Sequence, residues 1–222
     1  MSAHASRIRD ITFAPYERRN LRNKDFTIIS NDCMVGGIYR KLGLKDTTPT
    51  IGLFFFAEDY IKFLENFEYY LKQTPTFSKI SRHVEADSLF PQLTQARKKN
   101  HYPIGLLGND VEIHFLHYLN ETQAMNKWQQ RVKRINFENL FIIYSDKYRF
   151  REEYFDRFEK LPFEHKIFFS AKPRRDSELT VFLQDYADKP EVGDLFNKRK
   201  SYEKCFDTIK WLNCNRDFIN QT

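Results

Sequence analysis

With 222 residues the chain can bury one full core and is short for two, so a single folded domain is expected. An apolar share of 41% beside 30% charged residues excludes a disordered chain, and the lack of any 18-residue apolar run excludes a membrane-spanning helix. The net charge of +6 asks for an anionic partner; nucleic acid is the poorest choice, because no zinc-finger or single-strand-binding signature is present.

The basic excess gathers in residues 1–24, at Arg7, Arg9, Arg18, Arg19, Arg22 and Lys24. Two smaller groups are Lys172, Arg174, Arg175 and Lys198, Arg199, Lys200. Residues 1–24 read as a basic N-terminal arm, either a solvated lead-in or an electrostatic tether to an anionic inner leaflet. Residues 6–22 suit a helix interrupted by Pro15. Residues 25–222 read as one α/β domain. No apolar stretch follows the N-terminal charges, so no signal peptide is expected. Cys33, Cys205 and Cys214 fit a reducing cytoplasm better than a disulfide framework.

Residues 25–30 read as a buried strand, and Ser30, Asn31 and Asp32 break it ahead of a helix that runs through Lys41 and stops at Gly43. Residues 50–55 read as a second buried strand. Glu58 and Asp59 open a helix to about Lys72, where their charge suits the helix dipole. Residues 77–100 carry no clear pattern: Ile80, His83 and Val84 suit either a strand or a loose helix, and 95–100 is polar and basic, while 101–108 reads as a strand interrupted by turns. Val111, Ile113 and Phe115 alternate with Glu112, His114 and Leu116, which predicts a strand over 111–118. Asn120 caps a helix over 121–135. Strands follow at 140–144, 166–170 and 180–183, with helices at 150–158 and 201–212. The alternation predicts a three-layer α/β sandwich around a mainly parallel sheet, mixed if residues 77–118 add antiparallel strands.

The strand–turn–helix at Cys33 is the leading candidate site. A thiol at a helix start is biased toward thiolate, and the N–H groups of Met34, Val35 and Gly36 are start-of-helix donors suited to an oxyanion or phosphate. Asn31 and Gly37 complete the turn. The plainer alternative makes Cys33 a small apolar residue in a tight turn, and Gly36-Gly37 a place for close helix packing. His83, His101, His114, His117 and His165 are the candidate bases. His117 is preferred, on the premise that it shares a strand with His114 and lies nearer the strand's C-terminal end. Asp110 and Glu112 are its possible orienting carboxylates. Arg131 and Arg134, three apart on one helix face, suit donor phosphates or a plain solvated face. No metal-ligand spacing, Walker loop, GxGxxG or GxSxG occurs.

Several stretches together resemble a bacterial family. They are Phe26 to Cys33 with Gly36-Gly37, Pro49 to Leu53, Glu58 to Leu64, Tyr102 to Gly105, Glu112 to Tyr118, Trp128 with Arg131 to Asn136, and Asn139 to Phe141. Members of that family are labelled exopolysaccharide or capsular polysaccharide biosynthesis proteins. The resemblance covers roughly residues 24–185. It implies an α/β fold and a role in surface-glycan assembly, and no settled reaction. Combined with the candidate residues, it points to a cytoplasmic transferase, peripheral at the inner membrane if the arm tethers it, acting on a glycan or glycolipid acceptor. An acyltransferase would use acyl-CoA, with Cys33 as nucleophile. A glycosyl- or phosphosugar-transferase would use a nucleotide sugar, with Cys33 structural. A non-catalytic assembly factor is the third possibility. On the first reading Cys33 is the cysteine that iodoacetamide labels first, Cys205 is buried, and Cys214 is accessible without activation.

Overall fold

The computed structural model describes residues 15–84, 102–174, 177–214 and 217–219; Arg7, Arg9, His101 and Arg175 lie outside them. Four strands, β1 (Thr27–Ser30), β5 (Leu140–Ser145), β6 (His165–Ser170) and β7 (Thr180–Phe182), form a parallel sheet in the order β1-β5-β6-β7. Their near-continuous apolar sequences suit a sheet covered on both faces. Side-chain alternation sends Ile29, Ile142, Tyr144 and Phe168 into one core, and Ile28, Phe141, Ile143, Ile167 and Phe169 into the other.

Helices α2 (Ala57–Glu65), α4 (Glu121–Val132) and α5 (Glu152–Glu159) pack on the first face through Tyr60, Phe63, Trp128 and Phe158. Helix α1 (Met34–Leu42) and the short C-terminal helices α6 (Lys200–Glu203) and α7 (Thr208–Leu212) cover the second through Val35, Ile38, Tyr202 and Trp211. The three-layer α/β arrangement is therefore present. The antiparallel strands do not join it. They make a separate sheet of β2 (Thr76–Ser78), β3 (Ile104–Leu107) and β4 (Val111–His114), in the order β2-β3-β4.

Local signals account for several ends. Gly43 stops α1 in the left-handed region at φ 68°, and the Asn120 side chain caps α4 by accepting the Gln123 N–H at 2.8 Å. Other ends differ from expectation. The helix expected to reach Lys72 breaks at Asn66 (φ −124°, ψ 45°), after which α3 (Phe67–Leu71) begins. The helix expected over 201–212 is divided, and Asp207 restarts it by accepting the N–H groups of Ile209 and Lys210.

Residues 50–55 are not a strand. Gly52 turns the chain at φ 75° and α2 starts at Ala57, which leaves room for a single bridge, Phe54 with His114. Strand β4 ends at His114, not Tyr118: the Phe115 N–H still bonds Pro103 O in register, but Pro103 has no N–H to return and the Leu116 N–H turns back to His114 O. His114 and His117 therefore do not share a strand.

At the start of the described chain, residues 15–20 are helical and Leu21 joins the second core at 2% exposure. The Arg22 and Asn23 N–H groups donate to Asn213 Oδ1, and Lys41 pairs with both Glu17 and Glu203.

Candidate active site

Strands β1, β5 and β6 each end in a buried serine, Ser30, Ser145 and Ser170, at the sheet edge where open α/β folds build their sites. The polar residues that follow lock these ends together. Asn31 Oδ1 accepts from the Ser145 N–H and hydroxyl at 3.1 and 3.0 Å, and its amide donates to Ser145 O. Asn31 is thus a stitch between strands. Asp146 accepts from the Ser170 hydroxyl and the Ala171 and Val192 N–H groups at 3.0, 2.6 and 2.8 Å. Burial raises the Asp146 carboxyl above its usual range, and those donors oppose the rise.

Lys147 donates to Asp32 Oδ2 at 3.2 Å in a buried pair. Burial disfavours the ammonium, but Asp32 and Tyr148 together outweigh it and the Lys147 pKa is raised. Tyr148 and Arg149 then adopt left-handed backbone at φ 59° and 64°, which costs on the order of 1 kcal/mol for each non-glycine residue. Two bonds hold Tyr148 there: its N–H donates to Glu191 Oε2, and its carbonyl accepts the Ala57 N–H, both at 3.0 Å.

Cys33 sits at the N-cap of α1, half-buried, and its thiol donates to Leu53 O at 3.5 Å. Burial pushes the thiol up to about 12, with Asp32 adding to the rise and Lys147 opposing it. The expected bias toward thiolate is thus reversed: desolvation and the adjacent carboxylate outweigh the helix dipole. The presumed oxyanion donors are engaged as well. Asp32 Oδ1 takes the Met34 N–H at 3.0 Å, and Cys33 O takes the Gly36 N–H at 3.2 Å, while Val35 is fully buried. A Cβ at Gly36 or Gly37 would fall 3.9 or 3.5 Å from the Phe196 ring, an ordinary contact, so neither position demands glycine. Iodoacetamide is therefore expected to label the exposed Cys214 ahead of Cys33 between about pH 7 and 9, read by peptide mapping; Cys33 labelled first would restore the thiolate.

Of the other expected site residues, His117 and Arg131 reach the segment that Cys33 bonds: the Cys33 thiol donates to Leu53 O, the His117 N–H to Gly52 O and the Arg131 guanidinium to Ile51 O. Arg131 is committed to Asp46 at 2.8 Å, to Ile51 O at 3.2 Å and to the Tyr118 hydroxyl, and Arg134 lies 3.9 Å from the same Asp46. Both arginines brace the 46–51 loop, which removes the reason to assign them to donor phosphates. Asp110 lies in the turn between β3 and β4 and accepts the Tyr70 hydroxyl at 2.9 Å. His117 is exposed beyond the other end of β4, with its N–H on Gly52 O. Asp110 therefore does not orient it.

A different set of residues comes together where the two sheets meet. Phe54 exchanges both backbone hydrogen bonds with His114 at 3.0 Å, and the next residue, Phe55, donates its N–H to Asn31 O at 3.0 Å. The 54–56 segment so joins β4 to the end of β1. Phe55 points into the first core, while Phe54 and Phe56, two apart, project the other way with Leu116 and Tyr148. The Phe54 ring stacks on His114 at 4.5 Å and packs against Tyr148 at 4.8 Å; Phe56 stacks on His83 at 3.8 Å. Cys33 packs at the edge of this aromatic group.

Each of the two histidines on these rings carries a carboxylate partner. Asp59 Oδ2 lies 2.5 Å from His83 Nε2, while Asp59 Oδ1 accepts the Arg82 guanidinium and the Glu112 N–H, each at 3.0 Å. Glu112 Oε1 lies 2.7 Å from His114 Nε2, and both residues are fully buried. Glu112 also accepts the Ser81 hydroxyl and the Arg82 N–H. Burial would raise the Glu112 carboxyl, but the bonds from His114, Arg82 and Ser81 win and hold it at about 2. Burial lowers the His114 pKa below 6.5, and Glu112 opposes that. His114 is therefore neutral beside an ionised Glu112.

Asp59 was expected only to complement the helix dipole; that description fits Glu58, which pairs with Lys62 on the α2 surface at 2.7 Å. Asp59 is instead buried at 2% exposure. The usable signals in the sequence were Phe54 and Phe56 alternating with Phe55, and Glu112 and His114 sharing one strand face.

Among the described residues no helix is long and apolar enough to cross a membrane, and no three His, Cys, Asp or Glu side chains are grouped to hold a metal ion. Residues 4–213 match the model of a domain of unknown function, DUF1919. An uncharacterized protein of Haemophilus influenzae is 32% identical over 201 residues, which span 88% of each chain.

Proposed function

The chain belongs to the DUF1919 family; from the sequence resemblance to surface-glycan biosynthesis proteins and from the site itself, we propose that it is a transferase of bacterial surface-glycan biosynthesis that works by general acid–base catalysis at the sheet junction. The observation that carries this reading is the His83–Asp59 pair, 2.5 Å apart and stacked on Phe56. A carboxylate on Nε2 keeps the proton there, so Nδ1 is the basic nitrogen. It takes the proton of an acceptor hydroxyl as that oxygen attacks the activated donor. The His83 side chain is 14% exposed, so it reaches solvent, whereas Asp59 at 3% does not.

Cys33 is structural in this scheme, because its thiol is held protonated and the helix-start amides beside it are occupied. That favours a nucleotide-activated sugar donor over an acyl-enzyme route. The basic chain favours an anionic donor and, through residues 1–24, contact with the anionic inner leaflet where a glycolipid acceptor resides.

A thermal-shift comparison of nucleotide sugars with acyl-CoA tests the donor. At a hundredfold excess over Kd a genuine donor adds about 2.7 kcal/mol, which raises Tm by about 5–10 °C. The expected result is a rise with a nucleotide sugar and none with acyl-CoA. A rise with acyl-CoA alone would transfer the reading to acyl chemistry, and no rise with either class would favour a non-catalytic assembly factor.

A further inference from the structure

We propose that Tyr102 is a covalent nucleophile, activated by His114 and Glu112, that accepts the transferring group from the donor before the acceptor takes it. This rests on the transferase reading above. The Tyr102 hydroxyl lies 3.0 Å from His114 Nδ1, and on the far side of the ring Nε2 lies 2.7 Å from Glu112 Oε1, in a contact bent away from a straight hydrogen bond. Such contacts are often poorly aligned before substrate binds.

One proton arrangement is consistent with these contacts. Glu112 is ionised and His114 neutral, so Nε2–H faces the carboxylate and the Tyr102 O–H donates to Nδ1. That is the geometric signature of an activated nucleophile: a hydroxyl on a base, and the base oriented by a third group. The base is rigidly placed. Phe54 stacks on its ring at 4.5 Å, and its backbone is paired with Phe54 on both sides. His114 and Glu112 have no exposed surface, whereas Tyr102 is partly exposed, so the phenol is the outlet of the buried pair. Glu112 fastens Ser81 and Arg82 without help from Tyr102, so a purely structural clasp has no need of the phenol.

In the first step the phenol oxygen attacks the transferring group, the bond to the donor's leaving group breaks with its electron pair, and the phenol proton passes to His114 Nδ1. Glu112 stabilises the resulting imidazolium. In the second step the acceptor hydroxyl attacks the tyrosyl-bound group and gives its proton to His83. The tyrosyl oxygen leaves and recovers its proton from His114.

Methanesulfonyl fluoride tests this on the full chain without a known substrate. It forms a sulfonate ester by the same first step, in which the S–O bond forms, fluoride leaves and the proton passes to His114. Tyr16 and Tyr69, 69% and 51% exposed, are internal references. The expected result is modification of Tyr102 at least about tenfold faster than either reference, falling to the reference rate in Glu112→Gln and His114→Gln while Tyr16 and Tyr69 are unchanged. Tyr102 reacting no faster than the references in the wild-type chain would overturn the proposal, whether or not the variants fold. That failure would leave a donor-induced rise in Tm intact, so direct transfer would survive it; loss of the donor response alone would instead remove the transferase reading.

Discussion

Glu112→Ala is expected to lower stability by about 3–5 kcal/mol and Tm by roughly 10 °C, the range for breaking a buried charged network. Glu112 is fully buried in β4 and is the acceptor for Ser81 and the Arg82 N–H, and the close partner of His114; its Oε2 lies 3.7 Å from the Arg82 guanidinium. Alanine leaves those donors facing one another with no acceptor, and unmade buried hydrogen bonds cost more than made ones contribute. The pH dependence follows from the same groups. The Glu112 carboxyl sits near 2 in the fold against 4.5 ordinarily, so its stabilisation is complete above 4.5 and is lost as pH falls from there toward 2. His114 is buried neutral with its pKa below 6.5, so folding also weakens as pH falls below that value. Thermal melts at pH 7, 5.5 and 3.5 should show Tm dropping in both intervals for the wild type. In Glu112→Ala the drop below 4.5 should shrink. A variant melting within about 2 °C of wild type at pH 7 would mean that the network contributes little.

Most of the fold could be read from the chain because its signals are local. The parallel strands are runs of β-branched and aromatic residues, Gly43 and Asn120 mark helix ends, and the Val111 to His114 alternation assigns one face to the core. The site was harder, because its partners are remote in sequence. Asp59 meets His83 and Glu112, 24 and 53 residues away, and the short-range dipole explanation took its place. Glu112 was recognised as an orienting carboxylate but joined to His117. The apolar alternation continues to Tyr118, but the ladder stops at Pro103, which has no N–H to offer, and Leu116 turns back to His114 O. Cys33 does occupy the predicted turn at the end of β1. Its reactivity depends on burial and on Asp32, which outweigh the dipole that its position suggests.

The histidine–carboxylate pairs at the sheet junction, and not the Cys33 thiol, carry the chemistry in this account. The most direct measurement is transfer to a surface-glycan acceptor, from whichever donor raises Tm, by the wild type, Cys33→Ala and His83→Gln. Cys33→Ala should keep its rate within about threefold, since a protonated thiol bonded to Leu53 O contributes only packing. His83→Gln, with its melting temperature checked, should lose about 10²–10⁴ in rate, the contribution of a positioned general base. An inactive Cys33→Ala beside a fully active His83→Gln would contradict the account and return the nucleophile to the turn at the end of β1.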